Sequence, residues 1–164
     1  MAPELARYFA AEKAESVLFV AAGALAIAAS IWLVASASAY RGMAAPLALI
    51  ALIQVGVGAS VYARTDGQVA ALESSLHDGA PNRDAAVRAE RARMSRVLSN
   101  FQTYKYIELA LFAAGVALAL FARRDFVFSV GAGLIAQSSL MLLLDLFAER
   151  RADRYLEFLT RLSI

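Results

Sequence analysis

The chain has 164 residues, 60% of them hydrophobic and only 18% charged, with a mean hydropathy of +0.58. Soluble domains carry about 25% charged residues, so this composition lies outside their range and describes a protein built for a bilayer. A net charge of +2 from 16 basic and 14 acidic residues gives no reason to expect nucleic acid, and the lack of cysteine excludes disulfides, thiol catalysis and cysteine-ligated metal.

The chain opens with a short apolar stripe, Leu5, Tyr8 and Phe9, that leads into the uncharged run 16–40. A hydrocarbon core of roughly 30 Å needs about 20 apolar residues, and 16–38 meets that length as a first span. Ala35-Ser36-Ala37-Ser38-Ala39 resembles a signal-peptide cleavage site. Glu4, Glu12 and Glu15 precede the run where a signal peptide would be basic, and the run exceeds the usual core of about 7–15 residues. It therefore reads as a membrane helix.

A second uncharged run, 42–63, gives a span at 43–63, with Pro46 near its start, where a missing N–H costs little and no kink is expected. Beyond Arg64, Val69, Leu72 and Leu76 keep helical spacing until Asp78-Gly79-Ala80-Pro81-Asn82 breaks it with turn residues. Asn82 is placed to cap a new helix. On that helix Val87, Met94, Phe101 and Glu108 recur every seven residues, with Val97 and Tyr104 between them. Its charged face carries Asp84 with Arg88 and Glu90 with Arg93, which neighbour each other on a helix.

Segment 64–104 thus reads as a cytoplasmic helical hairpin that continues into a third span at 105–122. The uncharged part of this span, Leu109 to Ala122, covers only about 21 Å, so Glu108 falls at the interface, with Tyr104, Lys105 and Tyr106 as anchors. A fourth span occupies 126–147. It runs into an amphipathic C-terminal helix at 148–162, where Tyr155, Leu159 and Leu162 lie opposite Arg154, Glu157 and Arg161. Each helix would project roughly 20 Å or more beyond the membrane, by about 14 residues at 1.5 Å each.

Of the 16 lysines and arginines, only Arg41, Arg123 and Arg124 fall at the two tips. The positive-inside rule then places both termini and the central segment in the cytoplasm and the tips outside, in the cell (inner) membrane.

The two halves also resemble each other. Phe9, Lys13, Glu15, Leu18-Phe19, Gly23, Arg41 and Gln54 recur in order as Phe101, Lys105, Glu108, Leu111-Phe112, Gly115, Arg124 and Gln137. A two-span unit returns to its starting side, so a duplication would relate the copies by an axis along the membrane normal. The expected fold is all-α: a polytopic membrane protein, 1–164 as a single four-span domain, forming an antiparallel four-helix bundle of two similar hairpins with helices extended into the cytoplasm. Gly56 with Ser60, Gly115 with Ala119, Ala22 with Ala26 and Ala132 with Ala136 have the small-xxx-small spacing of membrane helix contacts.

The candidate polar positions are Gln54, Gln137, Asp145, Glu15 and Glu108. Equal depth would let Gln54 and Gln137 face each other, as a structural amide pair or as a constriction on a solute path. Glu15, Glu108 and Asp145 should gather at the inner rim, either paired with Lys13, Lys105 and Arg64 or forming a cation or proton site, with Asp145 its best candidate. The arginines from Arg83 to Arg96, interleaved with acids, read as a solvated face more readily than as a lipid-headgroup site. His77 is the only histidine and reads as a solvated loop residue. No cofactor, metal or catalytic residue is expected, since no hydrolase elbow, zinc-protease motif or phosphate loop is present.

Two functions remain open. One is a membrane interaction or structural module that binds or regulates another membrane component. The other is an oligomeric ion channel or small-solute transporter with a polar path near Gln54, Gln137 and Asp145. The expected partners are the lipid bilayer and either a membrane protein or further copies of this chain; an enzyme is not expected.

Overall fold

The computed structural model describes residues 3–76 and 81–161. His77, the Asp78-Gly79-Ala80 part of the expected turn, and Leu162 lie outside the described residues. Four long α-helices account for almost all of the described chain: α1 (Pro3–Ala35), α2 (Ala44–Leu76), α3 (Arg83–Phe121) and α4 (Asp125–Arg161). Each is long and apolar enough to cross a membrane. Their 33 to 39 residues correspond to about 50–58 Å at 1.5 Å per residue.

The helix ends follow local chemistry. After α1 the chain turns on Ala37, whose φ of 48° lies in the left-handed region, while Ser38 N reaches back to Leu33 O at 3.4 Å. That conformation closes a helix C-terminus and usually falls to glycine. A single 3-10 turn, Arg41–Met43, then leads into α2. Pro46, two residues into α2, is buried and leaves the helix unbroken, as expected. Asn82 occupies the N-cap position of α3 and its backbone O accepts from Ala86 N at 2.9 Å, but its side chain makes no capping bond. Ala122 is extended and ends α3, and α4 restarts at Asp125, an acidic residue in its first turn.

α1 packs along α2 and α3 along α4. The two pairs meet through α2 and α4, with further contacts of α1 to α4 and α2 to α3; α1 meets α3 through side chains, Tyr8 OH lying 3.6 Å from Met94 Sδ. The end holding the start of α1 and the end of α4 is called the base here, the opposite end the tips.

Close backbone approach holds each pair, near the middle of α1 and α2 and toward the tips of α3 and α4. A Cβ on Gly115 would lie 2.9 Å from Gly131 O, and one on Gly58 3.0 Å from Ser16 O. At the tips, Gly42 rests on Phe126 and Ser129 of α4, and a Cβ on Gly133 would meet Pro46 at 2.8 Å. Gly56 and Ser60 do not serve this purpose. Both are exposed, and a Cβ on Gly56 would meet nothing within 4 Å, so the expected contact at this pair is replaced by Gly58, two residues along the same helix.

The principal apolar core lies at the base, away from the longest apolar runs. Leu5, Tyr8, Phe9, Met94, Ala152, Tyr155 and Leu159 are buried together, flanked by residues that include Val69, Leu72, Phe101 and Phe158. The heptad positions Val87, Met94 and Glu108 are buried and Phe101 half-buried, whereas Tyr104 turns outward. Along the apolar runs the outer surface is open: Leu25, Trp32, Leu49, Ile53, Ile107, Leu120 and Phe121 are all exposed.

Candidate functional site

The five expected positions form one amide pair and two separate charged contacts. Gln54 sits on the face of α2 turned toward both α1 and α4. Its Nε2 donates to Phe19 O at 3.0 Å, and its Oε1 accepts from Gln137 Nε2 at 2.8 Å. The two amides are 0% and 2% exposed, so no water-sized void reaches them to any extent. The two glutamines therefore meet each other, and the bond joins the α1–α2 pair to the α3–α4 pair nearer the tips than the base.

The three carboxylates do not gather in one place. Glu15 pairs with Arg151 of α4 and not with Lys13 or Arg64, because α4 passes beside α1 at this level and Arg64 is exposed. Lys13 instead binds Asp66 at 2.7 Å, and Lys105 binds Glu149 at 2.6 Å. Glu108 and Asp145 face one another across α3 and α4, and both are buried.

Below them lies a polar and aromatic network at the base, in which Tyr8, Tyr155 and the expected Glu90–Arg93 pair, read separately in the sequence, come together. Tyr8 and Tyr155 stack with ring centroids 4.1 Å apart, and the guanidinium of Arg151 lies 5.2 Å over the Tyr8 ring. Tyr8 OH donates to Glu12 Oε1 at 3.3 Å, and Thr65 Oγ1 donates to Glu12 Oε2 at 3.3 Å. On the other side Tyr155 OH donates to Glu90 Oε1 at 3.3 Å, while Arg93 holds the same carboxylate at 2.6 Å. Residues from all four helices take part.

Burial and the neighbouring carboxylates push both tyrosine hydroxyls well above their ordinary pKa, Tyr8 through Glu12 and Tyr155 through Glu90. They remain neutral donors. Glu90 is thus a buried acceptor and not part of the solvated face expected for it. A signal for this was present: Glu90 stands three residues after Val87 and four before Met94, on the same helical face as both.

Comparison with family models, with curated proteins and with solved structures gives no match. The geometry alone therefore carries the functional reading. Among the described residues no group of three or more His, Asp or Glu side chains converges to hold a metal ion. The chemistry on offer among the described residues is hydrogen bonding and ion pairing between helices.

Proposed function

We propose that the chain is an integral membrane protein of four spans, two antiparallel hairpins related by an approximate two-fold axis, with both termini and the base on the cytoplasmic side of the cell membrane. The bundle acts as an interaction module that binds another membrane component. The matched ion pairs support the duplication. Lys13 with Asp66 and Lys105 with Glu149 join the two helices of each hairpin, and the lysines occupy corresponding positions in the sequence repeat. Exposed Trp32, Tyr62, Tyr104 and Tyr106 suit the interfacial levels of a bilayer.

The single observation behind the module reading is the Gln54–Gln137 bond. The two glutamines that would line a solute path at this level are bonded to each other and to Phe19 O, in a contact closed to water. By contrast, the span of α3 is largely uncovered, with Phe121 81% exposed, leaving apolar surface for lipid or a neighbouring span.

The test is reconstitution into liposomes, with K⁺, Na⁺ and H⁺ fluxes measured beside site-specific photo-cross-linking in native membranes from Ile107 and Leu120. The module reading expects no flux above empty vesicles and a discrete protein adduct from α3. A flux that Gln54→Leu with Gln137→Leu abolishes, without unfolding the protein, would sink it in favour of the transport reading. Because the chain has no cysteine, single cysteines at Arg41 and Arg154 test the topology: the first should react from outside intact cells and the second should not.

A further inference from the structure

The carboxyl groups of Glu108 and Asp145 pose a problem that nothing in the network solves. The interlocking of α3 and α4 places them opposite each other: Lys105 pairs with Glu149 near the base, Glu108 and Asp145 follow one turn further along both helices, and Gly115 meets Gly131 beyond. Glu108 is 6% and Asp145 7% exposed. Glu108 Oε2 is buried and receives no hydrogen bond from any N–H or O–H of the protein.

An ionised carboxylate only accepts hydrogen bonds. Two ionised carboxylates facing each other out of water would leave Glu108 Oε2 without a donor and repel at short range, an arrangement that proteins avoid by protonating one member.

The surrounding charges do not remove the problem. Lys105 of α3 is near both groups but is engaged by Glu149 of α4, itself a further negative charge beside Asp145. On α1, Glu12 is taken up by Tyr8 and Thr65, and Glu15 by Arg151. On α2, Tyr62 and Arg64 are exposed. The missing partner is a donor, and the absence of a third convergent acid among the described residues leaves no metal-binding set.

The geometry points to a proton-binding site: Glu108 and Asp145 hold one exchangeable proton between them, as a carboxylic acid donating to a carboxylate. Release moves that proton to water and leaves two carboxylates. Their repulsion would then part α3 from α4 at the base side of the Gly115–Gly131 contact. This inference rests on side-chain packing and stands whether or not the bundle has a protein partner.

Infrared spectroscopy of the full chain in lipid at neutral pH tests it, because exposed carboxyls are then ionised and a protonated one gives its own C=O stretch. The expected result is a band equal to one protonated carboxyl per chain, lost in Glu108→Gln and in Asp145→Asn. Each amide supplies the donor that the proton supplied, so both variants should keep the native helical circular dichroism. No such band in the wild-type chain, or a band undiminished in both variants, overturns the proposal. So does a missing band with a melting temperature that rises on adding Na⁺, K⁺ or Ca²⁺, which would assign the site to a cation.

Discussion

Replacing one glutamine of the amide pair should cost more than replacing the other, and the asymmetry follows from the direction of the bonds. Gln54 makes two hydrogen bonds, donating to Phe19 O and accepting from Gln137, whereas Gln137 donates only to Gln54. Gln54→Leu removes both bonds and strands the Gln137 amide where water does not reach. A stranded buried polar group costs about 1–3 kcal/mol. Gln137→Leu removes one bond and leaves Gln54 Nε2 anchored to Phe19 O while its Oε1 loses its donor, a loss at the lower end of that range, about 1 kcal/mol, and smaller still if the average membrane value of about 0.6 kcal/mol applies.

The double replacement leaves no stranded amide and fills the space with side chains of similar size. It should be no less stable than Gln54→Leu alone, giving a coupling of about 1–2 kcal/mol between the sites. Equilibrium unfolding in mixed micelles with increasing SDS, followed by circular dichroism, measures all four proteins. Equal losses in the two single variants, or additive losses in the double one, would refute the bonding scheme and with it the account of how the helix pairs are joined.

Gly115→Ala should destabilise by about 1–3 kcal/mol through overpacking, since its Cβ would lie 2.9 Å from Gly131 O. Gly56→Ala meets nothing within 4 Å and should stabilise by about 1 kcal/mol from helix propensity; the same SDS titration reads both. Ala37→Gly relieves the φ of 48° and should raise stability by about 0.5–1 kcal/mol. The raised tyrosine pKa values predict an alkaline weakness. A folded-state value above the unfolded one favours folding fully below about pH 10 and loses that contribution as pH rises beyond it. Tyr8→Phe and Tyr155→Phe should therefore each flatten the fall in melting temperature above that pH, and an unchanged fall in both would count against their burial as neutral donors.

The number and length of the helices were legible in the sequence because charge placement and run length decide them. The glutamine pair was legible because equal depth after Arg41 and Arg124 brought the two amides level. Which way each helix turns was much less so. In a stretch rich in alanine and leucine nearly every face is apolar, and Gly56 and Gly58 look equally suited to a contact; only the packing of Phe19 and Val20 against Gly58 selects one. Ion-pair partners were misassigned for the same reason. Glu15 and Lys13 share a level, but their positions on α1 direct one to Arg151 of α4 and the other to Asp66 of α2. The buried acids Glu12 and Glu90 were missed because charge was taken as a sign of exposure, although both sit on the apolar stripes of their helices.

The location of the core bears on what such a bundle can do. Between membrane spans, lipid is as apolar as leucine, so burying leucine against leucine provides little drive, and contact relies on close backbone approach and polar bonds. The glycine contacts and the Gln54–Gln137 bond are of this kind. At the base, if it stands in water as proposed, each buried large apolar side chain contributes about 1.5–3 kcal/mol, and Leu5, Phe9, Met94, Tyr155 and Leu159 cluster there. The base then clamps all four helices, with Tyr8 of α1 meeting Met94 of α3 there, while the apolar runs of α1 and α3 keep their outer faces uncovered. A partner span docking on α3 would need to displace only lipid, and the clamp would hold the docking surface in place without being part of it. The Glu108–Asp145 pair lies between the clamp and that surface, where a change in protonation would alter the spacing of α3 from α4 without first breaking the base.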